Sequence, residues 1–303
     1  MDTTAGIRPG AGAGGTALGL VRAMRPKQWA KNVLVFAGVV FAGELGDPSA
    51  VALTFAAFGV FCVLSAAAYL FNDLLDAERD RLHPRKRHRP IAAGVVPRPL
   101  AAATALTLGA GGLAAAWFIG PRFLAVAGGY LGLTLAYSLW LKHVLLIDVI
   151  ALAVGYVLRA AAGAIAIDVE ISPWLLLCTI LVALFIGLTK RRHELVLLED
   201  GTAAHRGILE EYSGPLLDQM ISLVSSATLI AYALYTFFSD QAHNHGLLVV
   251  TLPFVVYGLF RYLYLVYKRG EGGSPEDLIF SDPPLLVCLA LWGVSVMLFV
   301  YWR

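Results

Sequence analysis

Charged residues are scarce in this sequence of 303 residues: they make up 15% of the chain, whereas a soluble domain usually carries about a quarter. Hydrophobic residues make up 58%, and the mean hydropathy is +0.73. This composition excludes an ordinary soluble domain and predicts that most of the chain is in contact with lipid. The small net charge of +2 gives no reason to expect a nucleic-acid partner.

Cysteine is rare as well. The three cysteines, Cys62, Cys178 and Cys288, lie inside apolar runs, without CxxC spacing and without a histidine cluster beside them. We therefore interpret them as packing residues, which excludes a disulfide framework and a zinc site built on cysteine.

The apolar runs are long enough to cross a membrane as helices. Backbone groups must be hydrogen-bonded in lipid, so runs of about 20 apolar residues predict helices rather than barrel strands. We predict an all-α, polytopic membrane protein with a flexible tail over 1–20 and a single transmembrane domain over 21–303. Nine transmembrane helices are expected near residues 30–46, 50–73, 98–118, 122–141, 145–166, 172–189, 216–239, 246–267 and 284–302.

Basic residues are distributed unevenly between the two sides that these spans define. If the N-terminus is cytoplasmic, all of the 23 Lys and Arg residues except Arg122, Arg159, Arg261 and Arg303 fall on the cytoplasmic side. Because cytoplasmic loops are enriched in Lys and Arg, we predict a cytoplasmic N-terminus. Arg261 lies near the inner end of its span and can extend to the interface. Arg159 lies deeper, where an ionisable residue usually faces a cavity, so we expect it to bind substrate.

The end of the second predicted span carries a stripe of polar side chains. Spacings of three, four and seven residues place Tyr69, Asn72, Asp73, Asp76 and Asp80 on one face of a helix. Aligned carboxylates repel each other unless a cation lies between them, and Mg²⁺ accepts one or two carboxylates together with phosphates and water. We predict that Asp73, Asp76 and Asp80 are catalytic and that Mg²⁺ is bound by these three and Asn72. Asn72 and Asp76 are the strongest candidates for direct contact; the alternative is a solvated, charged helix end.

Basic segments follow the stripe and recur in other cytoplasmic loops, at 25–32, 83–90, 137–142 and 190–194. Lys offers diphosphate oxygens a point charge, and Arg offers them a forked pair of donors. The segments can also be interface anchors or contacts for anionic lipid. We predict that they converge on one pocket. The predicted substrate-binding residues are Lys27, Lys31, Asn32, Tyr69, Lys86, Arg87, Arg89, Tyr137, Lys142, Arg159, Lys190, Arg191 and Glu194.

These motifs resemble those of the UbiA-like intramembrane prenyltransferase superfamily, through Asn72-Asp73-x-x-Asp76-x-x-x-Asp80 and the charged inner loops. The segments RPKQWAKN (25–32), NDLLDAERDRLHPRKRHRPIAAG (72–94), YSLWLK (137–142) and KRRHEL (190–195) resemble its decaprenyl-phosphate phosphoribosyltransferase branch, of the actinobacterial cell-wall arabinan pathway. The resemblance covers nearly the whole chain after residue 20. It implies a UbiA-like bundle in the bacterial plasma membrane, with the active site facing the cytoplasm.

The resemblance also implies a Mg²⁺-dependent transferase, with phosphoribosyl diphosphate as donor and a polyprenyl phosphate as acceptor. Superfamily members that use prenyl diphosphates typically carry a second Asp-rich motif after the sixth span, where this chain has Lys190, Arg191, Arg192 and a lone Glu194. Cations in that place fit a lipid monophosphate, whose charge they can hold directly.

Three alternatives stay open from the sequence. The chain could be a prenyl-diphosphate transferase that acts on an aromatic or other hydrophobic acceptor. A transporter would need broken helices or an internal repeat around a midplane site, and neither is evident. A purely structural membrane protein gives no reason for the polar stripe. The small-residue surfaces at 109–112 and 128–129 can pack helices within one chain or in a homo-oligomer.

Overall fold

The computed structural model describes residues 13–84, 86–199, 207–238, 247–273 and 275–301, and every regular element within them is helical. The α-helices are α1 (Ala13–Ala23), α2 (Ala37–Phe41), α3 (Pro48–Leu82), α4 (Arg98–Ile119), α5 (Pro121–Leu139), α6 (Ile147–Ala166), α7 (Pro173–Glu199), α8 (Gly214–Phe238), α9 (Leu252–Lys268), α10 (Pro275–Ser281) and α11 (Pro283–Tyr301). Short 3₁₀ segments cover Pro26–Phe36, Glu44–Gly46, Lys86–His88, Leu141–His143, Gly207–Glu211 and Leu247–Thr251.

Proline sets the start of many of these helices. α3, α5, α7, α10 and α11 each begin at a proline, which fits the first turn because its fixed φ is helical and its missing N–H would have no partner there. Residues 13–20, which we predicted to be part of a flexible tail, belong to α1. The rest of that predicted tail lies outside the described residues.

Eight helices in the described part of the chain are long and apolar enough to cross a membrane, so the all-α, multi-pass architecture is confirmed. The count of nine is not confirmed. The first predicted span, 30–46, consists of part of a 3₁₀ segment, the five-residue α2 and a second short 3₁₀ segment. Two features break it: polar residues such as Lys31 and Asn32 occupy its first part, and Gly43, with a φ of 78°, follows α2.

The helices form two compact units within the predicted domain. The first unit combines Met1–Val33 with Ala56–Leu141, and the second combines Leu34–Phe55 with Lys142–Arg303. In the first unit, Ala23, Leu70, Ile91 and Val96 share one buried cluster. This cluster packs α1 and the 91–96 loop against the C-terminal end of α3, and so fixes the segments on which the polar stripe and its arginines lie.

A second core lies between α6, α7, α8 and α9 in the second unit. Phe185, Leu217, Ile221 and Leu265 are almost completely buried within it. Because these residues come from consecutive helices, the core fixes the C-terminal half of α7, which carries the 190–194 segment.

Glycines allow very close backbone contact between α2 and α6 in the second unit. A Cβ on Gly38 would lie 2.5 Å from Ala164 N, and one on Gly163 would lie 1.8 Å from Val35 O. The glycine surfaces singled out in the sequence differ from each other. A Cβ on Gly112 would lie 2.6 Å from Leu64 Cδ2, so that glycine packs within the chain, whereas Gly129 faces open space.

The contact at Gly163 leads to a stability prediction. We expect Gly163→Ala to lower the free energy of unfolding by about 1–3 kcal/mol, because the added methyl group overlaps a backbone carbonyl that must move. Gly129→Ala is the control: its methyl group meets no atom within 4 Å, and alanine favours a helix interior by about 1 kcal/mol. Thermal unfolding in detergent, followed by tryptophan fluorescence, measures both; equal midpoints would contradict the expected clash.

Candidate active site

The polar stripe lies on the last turns of α3, in the first unit. α3 has 35 residues, which at 1.5 Å per residue is longer than the roughly 30 Å hydrocarbon core that a span must cross. Its last turns can therefore extend beyond the apolar layer. Burial divides the stripe in two: Asp73 and Asp80 are buried, whereas Asn72 and Asp76 are partly exposed.

Asn72 and Asp76 form the partly exposed half of the stripe. They lie one turn apart, and Asn72 Nδ2 donates a hydrogen bond of 3.2 Å to Asp76 Oδ2. An amide oxygen and a carboxylate at this spacing suit Mg²⁺, which takes hard oxygen ligands and completes its shell with phosphate and water. Within the described ranges, no three His, Cys, Asp or Glu side chains are grouped as a metal site made of protein alone would require. A Mg²⁺ ion bound at Asn72 and Asp76 would complete its shell with substrate oxygens and water.

Asp73 and Asp80 form the buried half, and both accept hydrogen bonds from arginines. Asp73 Oδ1 accepts from Arg25 Nη2 at 2.5 Å and from Arg89 Nη1 at 3.2 Å, and Asp80 Oδ2 accepts from Arg89 Nη1 at 2.7 Å. Arg25 also lies over the ring of Tyr69, 5.0 Å from its centroid. Arg25 and Arg89 therefore neutralise the buried carboxylates.

The positions of these arginines are fixed by the fold around them. Arg25 adopts a φ of 55° just after α1, and Arg89 lies near the end of the basic 83–90 segment, the cationic loop. A Cβ on Gly19 in α1 would lie 3.0–3.1 Å from Val95 and Val96, which shows how closely α1 packs on the segment after Arg89. The packing of α1 on this segment thus helps to fix the positions of both arginines.

This geometry changes our interpretation of three predicted site residues. We predicted Arg89 as a substrate ligand, and the structure places it on two carboxylates. Asp73 and Asp80 have arginine partners where we expected a metal ion, and a metal contact by either of them stays a prediction. Sequence reasoning placed Arg25 in the basic 25–32 segment but did not include it among the site residues. The repulsion expected within the stripe was a signal for a cation, but several basic residues could have supplied it.

Other predicted residues of the first unit differ in exposure. Lys27, Lys86 and Arg87 are exposed, while Lys31 and Tyr137 are partly buried. Asn32 is completely buried. It donates to Cys62 Sγ at 3.3 Å and accepts from Ser65 Oγ at 3.4 Å. Asn32 therefore ties the Pro26–Phe36 segment, which also carries Lys27 and Lys31, to α3.

The second unit contains the other predicted cations. Lys190 is partly buried and Lys142 is 9% exposed. Arg191 is only 2% exposed; its Nε donates to Asp148 Oδ2 at 2.6 Å and its Nη1 donates to Glu194 Oε2 at 2.6 Å. Sequence reasoning missed Asp148, although an acidic residue in the first turn of an apolar span was a usable signal.

Arg159 and Arg261, the two arginines predicted inside spans, both have local contacts. Arg159 is buried, donates from Nη1 to Gly155 O at 2.9 Å and lies 5.4 Å from the ring centroid of Tyr156. Arg261 donates two hydrogen bonds to Asp282, at 3.1 and 2.8 Å. The prediction that Arg261 extends to the interface did not include this ion pair. These bonds hold the pKa of Asp282 below its usual range.

The sequence and the fold are similar to those of known proteins. The UbiA prenyltransferase family matches the chain over residues 32–281. The chain belongs to this family. It is 38% identical over 282 residues to a decaprenyl-phosphate phosphoribosyltransferase of Mycobacterium tuberculosis, with 92% of this chain and 93% of that protein covered. It is 36% identical over 296 residues to one of Corynebacterium glutamicum, covering 93% and 87%.

A solved UbiA-family structure has the same fold. A UbiA homolog from Archaeoglobus fulgidus, bound to DMAPP and Mg²⁺, superposes with a TM-score of 0.71 at 20% sequence identity. The match covers 93% of this chain and 98% of that one. The helical architecture described above is therefore the UbiA fold.

The arginine contacts predict that Arg89 contributes more than Arg87 to the stability of this UbiA-family chain. We expect Arg89→Ala to lower the free energy of unfolding by about 3 kcal/mol, because it leaves two buried carboxylates with less compensating charge. Arg87→Ala is the matched control, since the Arg87 side chain is exposed and donates a long hydrogen bond of 3.4 Å to its neighbour His88. Chemical unfolding in detergent compares them, and the account fails if the two variants are equally stable.

Proposed function

We propose that the chain transfers 5-phosphoribosyl from phosphoribosyl diphosphate to a polyprenyl phosphate such as decaprenyl phosphate, and releases diphosphate. The observation that carries the proposal is the similarity to decaprenyl-phosphate phosphoribosyltransferases over more than nine tenths of the chain. The reaction would depend on Mg²⁺ at the cytoplasmic face of the bacterial plasma membrane, and its product would be a precursor of cell-wall arabinan.

The donor end of the reaction is assigned to the first unit. Bound at Asn72 and Asp76, Mg²⁺ would neutralise the charge that develops on the leaving diphosphate. Lys27, Lys86 and Arg87 are exposed, and with Tyr69 they would hold phosphoryl and ribosyl oxygens. Arg25 and Arg89, which hold Asp73 and Asp80, would keep the last turns of α3 in a fixed arrangement, so that Asn72 and Asp76 need not be organised by the substrate.

The acceptor end is assigned to Lys142, Arg159 and Lys190 of the second unit. Their charges would hold the lipid phosphate. An oxygen of this phosphate would form a bond to the sugar carbon as the bond from that carbon to diphosphate breaks, with inversion at the carbon. A phosphate monoester is already anionic near neutral pH, so the step requires no general base. The apolar chain of the acceptor would lie against helices or lipid, where each buried methylene contributes about 0.8 kcal/mol.

A second function has one specific observation in its favour. The UbiA homolog from Archaeoglobus fulgidus is bound to DMAPP and Mg²⁺, which supports a prenyl-diphosphate donor with an aromatic or other hydrophobic acceptor. Against it, the 190–195 segment is KRRHEL, and its acidic residue Glu194 is paired with Arg191. A site with that arrangement suits an anionic lipid better than a second diphosphate with its metal ion.

An incubation with labelled substrates tests the proposal. Purified protein receives phosphoribosyl diphosphate labelled in the ribose, decaprenyl phosphate and Mg²⁺. We expect label in the organic phase and its loss with EDTA. A parallel incubation contains labelled prenyl diphosphate and an aromatic acceptor. Label in the organic phase from the first donor supports the proposal; transfer of the prenyl group alone would contradict it and favour the second function.

Matched variants of α3 connect this activity to the stripe. We expect Asp76→Ala to abolish transfer while the protein stays folded in detergent, because the substitution removes a partly exposed carboxylate whose hydrogen bond to Asn72 lies within one turn of α3. Glu78→Ala removes an exposed carboxylate two residues away, which pairs with Arg81 and Arg98 on another face, and should keep near wild-type activity. Full activity of Asp76→Ala would exclude the proposed role of this residue.

A further inference from the structure

A buried polar network links three segments of the second unit. Asp148, at the start of α6, is completely buried and accepts from Arg191 Nε at 2.6 Å and from the Tyr212 hydroxyl at 2.8 Å. Tyr212 follows the Gly207–Glu211 segment, and Arg191 lies in α7. Asp148 therefore joins α6, α7 and the chain before α8.

Tyr212 also contacts a residue with an unusual backbone conformation, Leu146. Leu146 has a φ of 65°, which is unfavourable for a residue with a branched side chain and persists only where the surroundings impose it. Its N–H donates to the Tyr212 hydroxyl at 3.1 Å. Burial raises the pKa of Tyr212 to about 12, so the hydroxyl is protonated near neutral pH and can donate to Asp148 while it accepts from Leu146.

Two of the proposed lipid-phosphate ligands are close in sequence to residues of the network. Lys142 belongs to the short 3₁₀ segment Leu141–His143, four residues before Leu146. Lys190 immediately precedes Arg191, and successive residues of a helix point about 100° apart. With Arg191 held inward on Asp148, Lys190 must point to a different side of α7.

Stability alone is a weak reason for such a network. A buried ion pair loses most of its attraction to the cost of desolvation, and apolar residues of similar size are often as stabilising. The network does, however, fix the 141–146 segment relative to the C-terminal half of α7.

We propose that Asp148, Arg191 and Tyr212 are positioning residues for the lipid-phosphate subsite, and that they orient Lys142 and Lys190 toward the acceptor phosphate. This inference rests on the proposed function. It also revises the role of Arg191, which we predicted as a substrate ligand. Its guanidinium instead binds Asp148 and so supports the subsite. Glu194 accepts a hydrogen bond from Arg191 Nη1 and belongs to the same network.

A binding experiment that needs no turnover tests the inference. Purified protein is titrated with farnesyl phosphate and with farnesol, and the ratio of the two affinities reports the phosphate subsite alone. We expect the wild type to prefer farnesyl phosphate. Tyr212→Phe, which removes one oxygen atom, should reduce that preference by about tenfold, the lower end of the effect that loss of a supporting hydrogen bond has at metal sites. Farnesol binding should not change.

Two further variants make the result specific. Tyr301→Phe is the matched control, because the Tyr301 hydroxyl also accepts from a backbone N–H, that of Leu45, at 3.1 Å; it should keep the wild-type preference. Arg191→Lys keeps a positive charge without the forked donors and should behave like Tyr212→Phe. Thermal midpoints are measured for all variants, so that a loss of preference is separated from a loss of folded protein.

Each outcome decides the inference. It is overturned if Tyr212→Phe and Arg191→Lys keep the full preference for farnesyl phosphate, or if the wild type shows none. Failure of the proposed function has a different signature. In that case the wild type prefers farnesyl phosphate and loses the preference in both variants, yet transfers no label from phosphoribosyl diphosphate.

Discussion

Asp73 and Asp80, two carboxylates buried on one face of α3, require positive charge beside them, and Arg25 and Arg89 supply it. An isolated carboxylate is costly to bury, so the chain must bring both arginines to this place to keep the helix face as it is. Arg25 comes from the end of α1 and Arg89 from the cationic loop. The packing of α1 on the 91–96 segment therefore serves the electrostatics of α3 as much as the apolar core.

This compensation divides the polar stripe between two tasks. The arginines occupy the buried side, and the pair Asn72 and Asp76 stays on the partly exposed side, where an oxygen-liganded cation would be accessible to substrate. The second unit uses the same arrangement with other residues: Asp148 is buried, Arg191 neutralises it, and the neighbouring Lys190 points elsewhere. In both units a paired charge in the interior fixes the segment that carries the residues assigned to substrate.

The sequence predicted the helical architecture well, because membrane-spanning helices follow from length and hydropathy alone. The span predicted at 30–46 is not confirmed, because 3₁₀ segments and a short helix occupy those residues. The close contacts of Gly38 and Gly163 that accompany this segment depend on residues more than a hundred positions away. The stripe on α3 was predictable because helical spacing is local. The partners of its carboxylates were not, since several nearby arginines were equivalent until the loop between α3 and α4 was placed.

We propose that the partly exposed half of the stripe binds the metal ion, whereas arginines hold the buried half. Mn²⁺ binding, followed by electron paramagnetic resonance in the presence of phosphoribosyl diphosphate, tests it most directly because Mn²⁺ takes the same oxygen ligands as Mg²⁺. The account predicts that Asp76→Ala loses the bound Mn²⁺ signal and that folded Asp73→Asn keeps most of it. Equal loss in the two variants, or retention of the signal in Asp76→Ala, would contradict it.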